Sequence, residues 1–189
     1  IGVRCVRRAW SIAALGLLAI ASCASPREAS VPGLPDEHRV ANAYVTVQSD
    51  TPISESDPWM LELNDVRESV IETLELPEQS RPVNVFLFRD RARYEEFLKE
   101  THPDLPPRRA FFVGTPTELK VYAHWNGQIM EDLRHEYTHG VLHAATDDIP
   151  LWLDEGLAEY FETTPSADRL NHDHLAGLSE ALVNGWQPD

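Results

Sequence analysis

The spacing of apolar positions changes several times along the chain, and each change predicts an element. Ala43-Tyr-Val-Thr-Val-Gln48 alternates apolar and polar side chains at period two, the pattern of a strand with one buried face. Over Trp59 to about Leu76 the apolar residues Leu63, Val66, Val70, Ile71 and Leu74 recur at intervals of three and four. They predict an amphipathic helix that Asp57-Pro58 opens and Pro77 stops. Pro82 to Phe88 is a mostly apolar, β-branched and aromatic run, which reads as a buried central strand. Asp90 then caps a helix to about Glu100, with Tyr94, Phe97 and Leu98 inward and Arg89, Arg91, Arg93, Glu95 and Glu96 on a solvated face.

Ala110-Phe-Phe-Val-Gly114 and Leu119-Lys-Val-Tyr-Ala-His-Trp125 flank Thr115-Pro-Thr-Glu118, so a hairpin is expected. Alternation sends Lys120, Tyr122 and His124 to one face and Leu119, Val121, Ala123 and Trp125 to the other, with His124 read as a polar strand residue facing water. A long helix follows from about Gly127 to Ala145, with Leu133, Tyr137, Val141 and Ala144 as its buried stripe. After a turn at Asp147-Asp148, Pro150 to Glu162 forms a second helix with Leu151, Leu157, Ala158 and Phe161 inward. A last helix is expected from Asp168 to about Asn184. The order predicts an α+β domain in which a mixed sheet of about four strands packs on helices.

The chemistry concentrates on the long helix. Residues four apart share a helix face, so His135 and His139 of His135-Glu-Tyr-Thr-His139 present two imidazoles to one point with Glu136 beside them. Two imidazoles are good zinc ligands, and a catalytic zinc takes three protein ligands while keeping a position open for water. In the next helix Glu155 and Glu159 lie a turn apart on one face, and Glu155 can supply the third donor. His143, one turn past His139, is a conceivable helical ligand, although three consecutive turns converge poorly on one tetrahedral ion.

His135-Glu-Tyr-Thr-His139 followed by Trp152-Leu-Asp-Glu155-Gly-Leu-Ala resembles the gluzincin zinc metallopeptidases, whose pattern is H-E-x-x-H with a later W-L-x-E-G-x-A. The run from about Val83 to Glu162 looks more loosely like small bacterial peptidase-MA-like proteins. The fifteen residues between His139 and Glu155 are fewer than is usual in the aminopeptidase branch, and a compact connection accommodates that. A metzincin pattern would need a histidine at position 145, which is Ala145.

The resemblance implies a small zincin-like fold with one Zn2+ held by His135, His139 and Glu155, and with Glu136 as the base for peptide hydrolysis. It also implies that one of the segments 110 to 114 and 119 to 124 is an edge strand that binds extended substrate, with His124 a possible subsite residue. Glu159 suits a role orienting a ligand histidine, or is a solvated acid. An oxyanion donor is expected among Tyr160, His172, His174 and Tyr122, with nothing in the sequence choosing between them. The other readings of the same residues are an inactive zinc-binding scaffold or peptide-binding lipoprotein, and a structural lipoprotein with an accidental motif.

The chain's first residues change the setting. Arg4, Arg7 and Arg8, the apolar stretch Ala9 to Ala21 and the ending Ile20-Ala-Ser-Cys23 read as a lipoprotein signal over residues 1–22, with Cys23 lipidated. Residues 23–40, with Pro26, Pro32, Gly33 and Pro35, read as a tether, and 41–189 as the metallopeptidase domain, with a truncated C-terminus as one expectation. Export to a bacterial periplasm or cell exterior and attachment to a membrane through that lipid follow as expectations. Cleavage would remove Cys5 and occupy Cys23, leaving neither a disulfide nor a thiolate ligand. It would also remove three arginines and no acid, so the formal charge of −15 becomes −18, which argues against nucleic acid as a partner.

Overall fold

A computed structural model describes residues 33–79, 81–146, 148–164 and 170–187. Cys23 and the signal segment lie outside the described residues, as does part of the tether. Among the described residues, five strands and five helices follow in order: β1 (His38–Ala41), β2 (Val45–Ser49), α1 (Pro58–Leu74), β3 (Val83–Phe88), α2 (Arg91–Thr101), β4 (Ala110–Gly114), β5 (Leu119–His124), α3 (Ile129–Ala145), α4 (Leu151–Glu162) and α5 (His172–Val183). The class is α+β, as expected, with one mixed sheet in the order β1-β2-β3-β5-β4. The parallel pairs β2–β3 and β3–β5 form its centre, and β1 and β4 join antiparallel at the two edges.

The fifth strand is β1, which begins inside the stretch read as tether. His38-Arg-Val-Ala41 has little apolar pattern of its own and is held by its ladder to β2, where Val40 faces Val47. The hairpin joining β4 and β5 forms where turn chemistry puts it. Thr115 N–H donates to the Glu118 carbonyl at 2.8 Å, and the Glu118 N–H donates to the Thr115 hydroxyl at 2.9 Å. Asp90 caps α2 by accepting the Arg93 N–H at 2.9 Å. Asp57 precedes Pro58 at the start of α1 but spends its carboxylate on the Ser54 N–H at 2.8 Å instead.

Both faces of the sheet are covered. Val83, Val85 and Leu87 of β3 and Leu119, Val121 and Ala123 of β5 point into the larger core, formed with Leu63, Val66 and Val70 of α1 and Leu133, Tyr137 and Val141 of α3. Phe86 and Phe88 of β3, Phe111 of β4 and Tyr122 of β5 point the other way, onto Tyr94, Phe97 and Leu98 of α2. The face that carries Tyr122 and His124 is therefore a second core. His124 is buried against the Tyr94 ring at 5.2 Å between centroids, and so is neither a subsite residue nor solvent-facing. Tyr122 is buried there too, packed on α2 and away from α3, and that burial removes it from the oxyanion donors; burial, and then Glu118, push its phenol up to about 12. The α3 stripe is buried as expected. In α4 Ala158 and Phe161 are buried, but Leu151, expected inward, is 73% exposed at the first residue of the helix, where the chain has not yet reached the core.

Candidate metal centre

Helix α3 packs against β5, β4 and β3 of the sheet and against the helices α1 and α4. Its approach to the sheet is close because residue 140 is glycine: a Cβ there would meet both Val83 methyls at 2.8 Å. Three further contacts fix the helix along its length. In the first turn Asp132, buried, accepts from Arg109 Nε at 2.8 Å and from Asn126 Nδ2 at 3.0 Å, tying α3 to the start of β4. The Arg134 guanidinium reaches Glu62 of α1 and the backbone carbonyl of Glu162 of α4, bracing three helices. Phe112 of β4 lays its ring beside that of His139 at 5.8 Å and 21°, and beside that of His143 at 5.2 Å.

On this frame the two expected histidines meet the expected glutamate. His135 Nε2 is 3.7 Å and His139 Nε2 3.9 Å from Glu155 Oε2. The donor atoms of the three residues lie within 4.8 Å of one another, and the group could hold a metal ion. A tetrahedral ion with bonds of about 2.0–2.2 Å sets ligands roughly 3.3–3.6 Å apart, so each imidazole–carboxylate pair is already within a few tenths of an ångström.

The other nitrogen of each ring faces a carboxylate from α4. His135 Nδ1 lies 2.9 Å from Glu162 Oε2, and His139 Nδ1 lies 2.9 Å from Asp154 Oδ1. At His135 a proton on Nδ1 directed at Glu162 leaves the Nε2 lone pair aimed at the common point, which is how partners behind a metal ligand set its tautomer; His139 and Asp154 are as close but lack hydrogen-bond alignment. One helix therefore supplies the third donor and both ring-holding groups. Asp154 Oδ2 also contacts His143 Nε2 at 3.1 Å, so His143 is spent behind His139 and does not join the donor group.

The charges follow from these contacts. Burial opposes a charge on His135, but the carboxylates of Glu162, Glu136 and Glu155 outweigh it and raise its pKa. Burial would raise Asp154 and Glu162, yet the histidines facing Asp154, and His135 with Asn171 at Glu162, bring both below the usual carboxylate range. Glu136 goes the other way. It is buried, and desolvation lifts its pKa despite the opposing effects of His135, His139, the Phe112 backbone N–H and Arg108. Beside it opens a cavity of about 430 Å³, lined among others by Arg108, Ala110, His135, Glu136, Glu162 and His174.

The remaining residues singled out from the sequence separate here. His174 lines this cavity, its Nδ1 3.3 Å from Glu159 Oε2 and 3.5 Å from Glu162 Oε1. Glu159 thus pairs with His174 and holds neither histidine of the metal group. Its expected orienting role falls to Glu162 and Asp154, which sequence reasoning missed. Their signal was present, since positions 155 and 162 are seven apart on one helix face and 154 is adjacent. Tyr160 and His172 line separate hollows, Tyr160 between α4 and α5 and His172 beside Arg134 and Glu162. Among the described residues no helix is long and apolar enough to cross a membrane. Neither protein-family models nor curated proteins give a match to this chain.

Proposed function

We propose that the protein is a zinc-dependent peptidase of the gluzincin type, with a zincin-like fold, that hydrolyses peptide bonds. The observation that carries the reading is the convergence of His135 Nε2, His139 Nε2 and Glu155 Oε2 on one point beside a buried carboxylate and an open cavity. Two neutral imidazoles and one carboxylate, each ring backed by a second carboxylate, suit zinc, which when bound supplies Lewis acidity toward water and a peptide carbonyl.

The chain's own residues do the rest. Glu136, made more basic than a solvated carboxylate by its burial, takes the proton of the attacking water and delivers it to the departing amine. His174 lines the same cavity, which supports it over Tyr160 and His172 as the donor to the oxyanion. Strand β4, at the sheet edge and packed through Phe112 on the ligand-bearing helix, supports a substrate backbone laid alongside it.

The test is metal analysis with activity. The protein should bind one zinc per chain and cleave peptides. Glu136→Gln should keep the metal and lose cleavage, and Glu155→Ala should lose the metal. A Glu155→Ala variant that keeps zinc, or hydrolysis indifferent to Glu136→Gln, would overturn the reading. Zinc retention with no cleavage of any peptide would favour a binding scaffold. Export and anchoring belong to the same proposal and rest on residues 1–23 alone. Cys23→Ala should abolish incorporation of labelled fatty acid and move the protein from the membrane to the soluble fraction.

A further inference from the structure

The walls of the cavity beside Glu136 carry several charges, and all but one have partners. Asp132 is held by Arg109 and Asn126, Glu162 by His135 and Asn171, and Glu131 lies 3.7 Å from Arg109. Arg108 is different. It lines the cavity, is exposed, and makes no hydrogen bond or ion pair with a described residue. Its guanidinium sits 5.8 Å from the centroid of the Phe111 ring, whose side chain faces α2, so the group stands at the edge of the sheet beside the cavity with no described hydrogen bond on its N–H donors. It stands two residues before Ala110, at the start of the edge strand, and its charge is felt at Glu136.

A planar cation with five free donors in the cavity wall is matched by an oxyanion that it can grip with two parallel hydrogen bonds, and on an unmodified peptide that oxyanion is a carboxylate. The surroundings sharpen the choice. Glu131, Asp132, Glu136 and Glu162 disfavour a substrate carboxylate over most of the wall, and the other guanidinium there, Arg109, is already engaged by Asp132 and Glu131, which leaves Arg108. We infer that Arg108 is a specificity-determining residue of the proposed peptidase, receiving a substrate carboxylate, either an Asp or Glu side chain or the free C-terminus. This rests on the hydrolase reading for its consequence in turnover but not for its binding chemistry.

The experiment uses the zinc-loaded full chain and mixed-sequence fluorogenic peptides in matched forms: Asp and Glu against Asn and Gln at the randomised positions, and free C-terminal carboxylate against carboxamide. The readout is the ratio of kcat/KM between each carboxylate form and its amide twin, with binding of the same peptides to Glu136→Gln measured by fluorescence anisotropy. The wild type should favour one carboxylate form by about tenfold to a hundredfold. Arg108→Ala should collapse that ratio, Arg108→Lys should keep part of it, and Arg108→Glu should shift preference to Lys and Arg peptides. Which pair responds tells the side chain from the C-terminus.

A wild type that cleaves both forms alike, or a preference that survives Arg108→Ala, overturns the inference and leaves the hydrolase reading standing. No cleavage but carboxylate-dependent binding lost in Arg108→Ala sinks the hydrolase reading and upholds the site. Neither cleavage nor binding sinks both.

Discussion

Gly140 is one residue past a metal-group histidine and faces the central strand, which makes Gly140→Ala a sharp probe of how the fold sets the site. Two effects oppose. Alanine is a better helix former than glycine by about 1 kcal/mol, and in the middle of a 17-residue helix that gain applies in full. Against it, the new Cβ would lie 2.8 Å from both Val83 methyls and 3.4 Å from its Cβ. Turning Val83 about χ1 does not clear the clash, because two branches are hit at once, and Val83 is fully buried in β3 with no room to retreat. Helix and strand must part by roughly 0.6 Å to reach 3.4 Å, the near edge of ordinary contact. Overpacking of this kind costs about 1–3 kcal/mol, and a rigid two-point contact belongs at the upper end. The net expectation is a loss of about 2 kcal/mol. Chemical denaturation of the zinc-free protein measures it, and chelator competition should show weaker zinc binding, since His139 moves with the helix. Val83→Ala should cost about 2 kcal/mol alone by leaving a cavity, yet the double variant should be better than the sum by at least about 1 kcal/mol. A Gly140→Ala protein as stable as the wild type, or additive variants, would refute the close-packing account.

Glu162→Gln and Asp154→Asn keep the shape but weaken the hold on His135 and His139, and each should lower zinc affinity by about 10- to 100-fold in chelator competition. Asp154 also sets an acid limb. Its folded pKa is depressed, so its contribution is complete above the ordinary aspartate range near pH 4 and is lost as pH falls through the depressed value. In chelated protein the stability gap between wild type and Asp154→Asn, about 1–3 kcal/mol at neutral pH, should therefore close on acidification. His174→Ala should lower kcat by about 10²- to 10³-fold with zinc retained, and an unchanged kcat would remove it as the oxyanion donor.

What the sequence made legible was whatever has a period or a fixed spacing. The α3 stripe of Leu133, Tyr137, Val141 and Ala144 and the pairing of His135 with His139 follow from helical geometry, while Glu155 came from the resemblance of its motif, and the three side chains lie together where a metal could be held. Less legible was whatever depends on a neighbour. Tyr122 and His124 sit at alternate positions of a strand, which looks the same whether the far face meets water or α2. Only the packing of Tyr94 and Phe97 over that face decides it. Strand β1 owes its existence to β2, and its own four residues carry no pattern to find. Glu159 and Glu162 are both acids on α4, and which one reaches a ring depends on how the helix is turned against α3, a rotation that composition does not encode.

That rotation is set by few residues, and a final prediction follows. Helix α4 brings the third donor and both ring-holding carboxylates to histidines that it does not carry, so the metal group exists only while α4 is docked. Its docking rests mainly on Phe161 and Ala158, since Leu151 and Trp152 at its start are 73% and 75% exposed. Phe161→Ala removes the largest anchor and should cost about 3–5 kcal/mol in the zinc-free protein. Because docking and metal binding are then coupled, zinc in excess should restore part of that loss by mass action, and affinity should fall in Phe161→Ala although no donor atom is touched. Leu151→Ala, at an exposed position on the same helix, should change neither. The paired measurement is denaturation with and without zinc on both variants. If Phe161→Ala unfolds more easily yet binds zinc with wild-type affinity, the donors are preassembled without α4 packing, and the division of labour between the two helices argued from Asp154, Glu155 and Glu162 is wrong.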